Sequence, residues 1–485
     1  MGFGGALERA CGRDKERDVV DRPGSSERPL RVAIVGAGPS GFYAAGALLA
    51  QHDYQIEVDL FDRLPAPHGL VRYGVAPDHQ KIKTVTKVFD RTAAAARFRF
   101  FGNVDFGRDL THLDLRRCYD AVIYAVGAQA DRRLGIPGEE LAGSLSATAF
   151  VAWYNGHPDY QDLDVDLSVK SAVVVGVGNV ALDVARILAR SPAELAVTDI
   201  ALDAEAMLAA SQITDIYVLA RRGPAQVRFT PTEIREFGEL ADADVFVDPA
   251  ELVLDSDSAA EAAADPETQR NLAVLRDLAA TPPAGKRRHV HFRFLVSPVE
   301  ILGDEGKVTA VRIEKNVLRP AADGYLNAEG TGEFETIPAG LVLRAVGYRG
   351  IQLPDVPFDE RRGVIPNQSG RVWNPATGSI APGEYVTGWA KRGPTGVIGT
   401  NRADAIETVE QLLADIPTLK PAPDPDPAAV ERLLTERGVQ YVSIEGWRLI
   451  DELEVSRGQE QGRPRVKFTQ VDEMLAVAQR RKTLT

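Results

Sequence analysis

Short apolar runs alternate with amphipathic stretches along most of the chain. Arg31–Val35 is an apolar run of strand length that leads into a glycine-rich turn. An Ala-rich helical pattern follows from Ser40 to about Gln51, and Ile56–Phe61, "IEVDLF", reads as a second strand. Tyr119–Val126, "YDAVIYAV", reads as a buried strand stopping at Gly127. The pattern then restarts with a strand at Ala172–Val175, a turn, a helix to about Arg190 and a strand at Ile216–Leu219. Strands alternating with helices predict parallel sheets, and the restart predicts a second βαβ unit.

"GLVLRAVGY" (Gly340–Tyr348) echoes "AVIYAVGA" (Ala121–Ala128), since both are apolar strands stopping at Ala-Val-Gly. Matched stops predict a chain that leaves one domain near Gln129 and returns to it near Tyr348. The expected organisation is a flexible extension over 1–29, one domain from 30–128 and 349–485, and a second inserted at 129–348. Five prolines in "PTLKPAPDPDP" (Pro417–Pro427) predict an extended linker, followed by two or three short helices. Asp255–Glu267 is acidic and Ala-rich, and reads as an exposed loop or helix.

Each restart carries a glycine fingerprint. Gly36-Ala37-Gly38-Pro39-Ser40-Gly41 is a full G-x-G-x-x-G between strand and helix. The first glycine permits the tight turn, the second lets backbone approach a pyrophosphate, and the third lets helix and strand pack closely. The helix N-terminus adds free N–H groups and partial positive charge for phosphates. Asp62, at the end of the second strand, suits a ribose hydroxyl. In the second unit, Gly176-Val177-Gly178-Asn179-Val180-Ala181 has Ala in the third place, and the next strand ends in Arg221-Arg222 instead of an acid. An acid there repels a 2′-phosphate, whereas two guanidinium forks attract one. The second unit is therefore expected to prefer NADP(H), with Ser191–Asp215 as an insertion before that strand. Two such units in one chain suggest two nucleotides brought together. The natural companion of a pyridine nucleotide is a flavin, which accepts a hydride and releases single electrons.

Composition narrows the class. The 485 residues allow two or three domains, and the net charge of −13 argues against non-specific nucleic-acid binding. No apolar run reaches the roughly 18 residues of a membrane span, and the first 28 residues, with six basic and six acidic side chains, are no secretory signal. Cys11 and Cys118 are the only cysteines. That excludes a Cys-x-x-Cys dithiol and a cysteine-ligated zinc or iron–sulfur site, and fits a cytoplasmic protein.

"GLVRYGVAPDHQKIK" (Gly69–Lys83), "GVGNVALDVARIL" (Gly176–Leu188), "RRGPAQVRFTPTEIRE" (Arg221–Glu236) and "GWAKRGPTGVIGTN" (Gly388–Asn401) closely resemble the adrenodoxin-reductase-like NADPH–ferredoxin reductases, above all the bacterial members. The likeness runs from about Arg31 to the end of the chain; Val177 departs from it, since relatives often carry a polar residue there. It implies an α/β fold of two Rossmann-like dinucleotide-binding domains, the NADP domain inserted in the FAD domain. It implies FAD held by Ser40, Asp62, Leu70 and Val104, with Trp389, Gly396, Val397 and Ile398 beside the flavin ring. There, "PTGVIGTNRADAIETV" reads as a loop feeding a helix N-terminus aimed at the ring, whose dipole would stabilise negative charge on reduced flavin. It implies NADP(H) held by Val177–Val180, Arg221, Arg222 and Glu233, with Arg132 added to the set, and Gly396 also near the nicotinamide. His79 and Glu233 are implied near the flavin–nicotinamide contact, as residues that position the reactants, because hydride transfer requires closeness and alignment and no general acid.

The implied activity is that of a ferredoxin–NADP(+) reductase: hydride from NADPH to FAD, then single electrons to a ferredoxin. A monomer is expected by family analogy. The alternatives are an FAD/NADPH-dependent monooxygenase and a non-catalytic NADPH-binding module. Lys81, Lys83, Lys87, Arg91, Arg97 and Arg99 form a basic run in an acidic chain, and Lys286, Arg287, Arg288 and Arg293 form another. Either could steer an acidic ferredoxin.

Overall fold

The computed structural model describes residues 23–480. Most of residues 1–29, together with Cys11, lie outside that range. Residues 23–29 pack onto the body: Gln55 donates its N–H to the Gly24 carbonyl, and Arg28 pairs with Asp120 at 2.8 Å. Expected flexibility over the whole of 1–29 is therefore corrected for its last seven residues.

Two sheets organise the molecule, the second wholly parallel and the first parallel except at its edge, where Asn367–Gln368, Arg371–Asn374 and Ser379–Val386 pair antiparallel in turn. The first contains seven strands in the order Asn367–Gln368, Arg371–Asn374, Ser379–Val386, Ala121–Tyr124, Leu30–Val35, Ile56–Phe61 and Phe98–Phe101. The second contains six, in the order Ser144–Ser146, Leu341–Arg344, Ser171–Val175, Asp215–Leu219, Arg288–Arg293 and Ala243–Val247. The central strands of both sheets are buried on both faces, as sheets covered on two sides require.

The two folds repeat the same backbone device. Gly36 donates to the Phe61 carbonyl and Ala125 donates to that of Val35; correspondingly, Gly176 donates to Leu219 and Ala345 to Val175. Gly36 (φ 109°) and Gly176 (φ 134°) turn the chain at positions a side chain cannot occupy. A Cβ would meet the Ala125 carbonyl oxygen at 2.5 Å in one and that of Ala345 at 2.4 Å in the other. The echoing Ala-Val-Gly stops are thus equivalent parts of two cradles. Just beyond them, Ala130–Asp131 pairs antiparallel with Tyr348–Arg349, so the outgoing and returning chains run side by side.

A three-stranded antiparallel sheet, Val296–Asp304, Lys307–Pro320 and Leu326–Pro338, covers part of one face of the second parallel sheet. The acidic Ala-rich stretch is helical, as Ser256–Ala264 and the start of Pro266–Ala280. Pro417–Pro427 is no free tether: Ala422 N–H donates to Asp120, Asp424 N–H to the Arg117 carbonyl, and Arg31 to the Pro425 carbonyl. Three helices follow, Ala429–Glu436, Ile444–Glu460 and Val471–Ala478, and bury Trp447, Ile450 and Met474 against the first fold.

The tail also locks both folds together. Glu454, fully buried, takes two hydrogen bonds from Arg72, one from Arg465 and one from Phe468 N–H. Lys467 donates to the backbone carbonyls of Arg72 in the first fold and Asn155 in the second, both at 3.1 Å.

Candidate functional site

The first cradle is enclosed. The Asp62 carboxylate accepts from Ala37 N–H at 2.8 Å and from Leu64 N–H at 3.0 Å, so the acid expected at a ribose also staples the glycine turn. Burial pushes its pKa up, with the Leu64 and Ala37 N–H groups opposing. Helix Pro39–Ala50 starts at the turn, and a Cβ on Gly41 would stand 2.0 Å from the Gly36 carbonyl oxygen. Gly69, just before Leu70, approaches Gly38 closely enough that a Cβ on it would lie 3.0 Å from the Gly38 Cα. Val104 donates its N–H to the Asp62 carbonyl while its side chain is buried in the core. Only its backbone can therefore face a ligand.

From the far end of the chain, Gly388 presses on Ser40, and Asp404 accepts from the Gly388 N–H. Trp389 donates its indole N–H to the Thr395 carbonyl at 3.1 Å, with its ring 5.3 Å from that of Tyr348. Gly396, Val397 and Ile398 form the turn into helix Thr400–Asp415. Val397 is apolar yet 62% exposed. These positions fit a flavin dinucleotide: a cradle whose first and third glycines, Gly36 and Gly41, have no room for a Cβ, an acid at the strand end, and a helix N-terminus beside an exposed apolar turn.

The second cradle is open. Nothing lies within 4 Å of a Cβ built on Gly178. Asn179 accepts from Thr230 N–H at 3.0 Å, and Val177 from Arg228 N–H at 2.9 Å, which fixes the loop bearing the arginines. Val180 is half-buried at the start of helix Asn179–Ala189. Arg221 is exposed; the Arg222 guanidinium lies 4.7 Å over the Tyr325 ring, contributed by the three-stranded sheet. Asn316 of the same sheet donates to the Arg221 carbonyl at 2.8 Å. Exposed guanidinium groups at this strand end fit a 2′-phosphate. Arg132 is exposed at the crossing of the chain, with its N–H on the Gly347 carbonyl at 3.0 Å.

Between the two folds lies a charged cluster. His79 of the first fold places Nε2 3.1 Å from Glu236 and 3.6 Å from Glu233, with Nδ1 3.8 Å from Asp183, all three acids belonging to the second fold. At its centre Arg186, fully buried, reaches Asp78 at 2.7 Å, Asp183 at 2.8 Å, Glu236 at 3.1 Å and Glu233 at 3.2 Å. Arg190 shares Asp78 at 2.7 Å. Burial alone would lower the His79 pKa, but the Glu236 hydrogen bond and the Asp183 and Asp78 charges outweigh it and the repulsion of Arg186, so it is raised. Burial pushes Asp183 up to about 6, with Arg186 opposing and Glu233 adding.

His79 and Glu233, paired by sequence reasoning, are thus brought together. Glu236, Asp183, Arg186 and Asp78 were missed. The signal available was a charged pair three residues apart, Asp183 and Arg186, within an otherwise apolar helical run, together with a second acid three residues after Glu233.

Of the first basic run, Lys83 is bound to Asp199 at 2.6 Å and Arg99 to Asp59 at 2.6 Å. Lys81, Lys87 and Arg91 stay exposed, beside exposed Ile82 and Val88. The side chains of the second run are all engaged within the molecule, although Arg287 stays exposed. Lys286 and Arg287 donate to carbonyls, Arg288 is buried on Asp242, and Arg293 pairs with Glu251 and Glu335.

Residues 30–237 match the family described as pyridine nucleotide-disulphide oxidoreductase. The chain is 46% identical over 462 residues to an NADPH-ferredoxin reductase, FprA, of Mycobacterium tuberculosis, covering 93% of this chain and 99% of that one. It is 42% identical over 466 residues to a mitochondrial NADPH:adrenodoxin oxidoreductase of Arabidopsis thaliana, covering 94% and 96%. The solved structure of Mycobacterium tuberculosis FprA in complex with NADPH superposes with a TM-score of 0.88 at 46% identity, over 93% of this chain and all of that one. Identity at this level over nearly the whole length, with the paired cradles in place, makes this chain a member of the NADPH–ferredoxin and adrenodoxin reductase family.

Proposed function

We propose that the protein is an NADPH–ferredoxin oxidoreductase that draws reducing equivalents from NADPH and delivers electrons singly to a small iron–sulfur protein. A bound flavin supplies the exchange between two-electron and one-electron chemistry. The chain supplies the geometry. The enclosed cradle of Gly36, Gly38, Pro39, Ser40, Gly41, Asp62, Leu70 and Val104, with Trp389 and Gly396–Ile398, holds the flavin. The open cradle of Gly176–Val180, with Arg221, Arg222 and Arg132, holds NADPH. The protein crosses from one domain to the other at Gln129 and Tyr348, and the two strands paired there support that boundary.

The observation that carries this reading is His79 of the first fold held by acids of the second, one of them on the helix that starts at the second glycine turn, which ties the two folds together there. His79 and Glu233 act as positioning residues, and Glu236 fixes the imidazole. Exposed Lys81, Lys87 and Arg91, with Ile82 and Val88 between them, follow His79 directly and suit an acidic ferredoxin. The reading includes a cytoplasmic monomer. Among the described residues no helix is long and apolar enough to cross a membrane.

The test is anaerobic. NADPH is expected to bleach the yellow protein, far faster than NADH does, and cytochrome c to be reduced only after a ferredoxin is added. Rising salt is expected to slow that ferredoxin-dependent step and leave direct dye reduction unchanged. Stoichiometric oxygen uptake with an organic substrate would move the assignment to a monooxygenase. NADPH binding without bleaching would reduce the protein to a binding module.

A further inference from the structure

On the second parallel sheet, at the strand ends away from the glycine turn, three side chains converge that neither cradle uses. His289 and His291 lie two residues apart on strand Arg288–Arg293 and so share a face. Asp215 on the adjacent parallel strand is in register with His289. Its Oδ1 lies 3.3 Å from His289 Nδ1 and 3.0 Å from His291 Nε2. The ligand atoms of all three residues lie within 4.8 Å of one another.

The cluster is built. The His291 ring is clamped between Tyr217, 4.6 Å away with 14° between planes, and Phe246, 5.1 Å away with 18°. Phe246 also meets the His289 ring edge-on at 5.5 Å. Thr214 Oγ1 donates to the second oxygen of Asp215 at 2.8 Å, which leaves Oδ1 turned to the imidazoles. The side chains remain 24–38% exposed, open to an ion from solvent.

We propose that Asp215, His289 and His291 form a binding site for a borderline-soft divalent cation, Zn2+ in the first instance and Cu2+ or Ni2+ by the same chemistry. Two imidazole nitrogens and one carboxylate oxygen are the ligand set such ions take, at about 2.0–2.2 Å from the metal. Ligand atoms held tetrahedrally at that distance stand roughly 3.3–3.6 Å apart, so the two oxygen–nitrogen contacts need only open slightly as the ion replaces the proton shared between carboxylate and imidazole. Water completes the coordination. The site clips together two neighbouring strands of the second sheet, so its effect is on the stability of that fold and not on electron transfer. The other histidine cluster, around His79, is a poorer ligand set because the buried guanidinium of Arg186 already neutralises its acids at 2.7–3.2 Å.

The test uses the untagged, flavin-loaded full chain titrated with Zn2+ alone by calorimetry. One equivalent is expected to bind in the micromolar range and to raise Tm. His291→Ala and His289→Ala are each expected to weaken binding by about tenfold or more, while His79→Gln leaves it unchanged. Because an alanine variant could fail to fold, Cu2+ bound to the wild-type protein supplies an independent measurement: its electron paramagnetic resonance spectrum should show coupling to two nitrogens. Absence of a stoichiometric site, binding indifferent to both alanine variants, or a spectrum without nitrogen coupling would overturn the proposal.

Discussion

The two glycine cradles share strand, turn, helix and the Ala carbonyl that abuts the first glycine, yet they differ in how the rest of the chain treats them. Four remote segments close the first: Gly69 against Gly38, Asp62 against Ala37, Gly388 against Ser40, and the tail through Arg72 and Glu454. The second has open space before Gly178 and an exposed Arg221. Enclosure suits a nucleotide that stays, and openness one that exchanges at each turnover. The difference between the two cradles thus lies in what packs over the motif and not in the motif.

The comparison breaks most sharply at the third glycine. The second turn carries Ala181 there, so the fold itself tolerates a methyl group at this position. In the first turn the same methyl group on Gly41 would collide with the Gly36 carbonyl oxygen at 2.0 Å. Gly41→Ala is expected to yield protein without flavin, read as loss of visible absorbance, whereas Ala181→Gly costs only about 0.5–1 kcal/mol of helix stability and keeps NADPH binding. A yellow Gly41→Ala protein would mean that the first cradle is as loose as the second.

The enclosing tail offers the next largest effect. Glu454→Ala leaves Arg72 buried without its carboxylate, which typically costs about 3–5 kcal/mol. Arg72 follows Leu70 by two residues, so flavin retention on dilution should fall along with the denaturation midpoint, and NADPH affinity much less. Equal losses at both cradles would show that the tail stabilises the whole molecule and not one cradle.

The cradles were legible in the sequence because their signals are local: a glycine spacing, an apolar strand before it, an acid or an arginine pair after the next strand. The Ala-Val-Gly echo was legible too, and the structure gives its reason in the carbonyls of Ala125 and Ala345. What the sequence hid was long-range pairing. Nothing near Glu454 announces Arg72, 382 residues away in the chain. The antiparallel sheet that brings Tyr325 over Arg222 lies about 100 residues beyond that arginine and has no motif of its own. Charge runs misled for the same reason: Lys83, Arg99 and Arg288 look like surface charge until their partners Asp199, Asp59 and Asp242 are placed.

Selectivity at the open cradle should respond by a smaller amount. Loss of one charge-assisted phosphate contact is worth about 1.5–3 kcal/mol, so Arg222→Ala is expected to raise the KM for NADPH by about tenfold or more and leave NADH almost untouched. Tyr325→Ala removes only the ring beneath the guanidinium, worth about 0.5–1 kcal/mol, a change of a few fold in the same direction. If both variants lose NADPH and NADH equally, the arginine is holding the loop and not the phosphate.

The smallest effect lies at the junction of the two folds and depends on pH. The His79 pKa is raised, with Glu236 its nearest partner, while that of Glu236 is lowered, with His79 and Arg186 opposing its burial. A raised histidine stabilises the fold below its unfolded pKa, and that contribution is lost as pH climbs through the folded value. A lowered glutamate stabilises above its unfolded pKa and loses its contribution as pH falls through the folded one. The pair therefore contributes most between the two ranges. Asp78, Asp183, Glu233 and Arg186 also face the imidazole, and Arg186 keeps part of its attraction for Glu236 at every pH in the window. Glu236→Gln should therefore destabilise the holoprotein more at about pH 6 than at about pH 9, as read from denaturant midpoints followed by flavin fluorescence. Most of the pH-dependent part of that difference should disappear in a His79→Gln background, because the imidazole is the titrating group hydrogen-bonded to Glu236. A difference that persists without His79 would assign the titration to Asp183, whose carboxyl is pushed up to about 6, and would leave His79 a neutral spacer between the two folds.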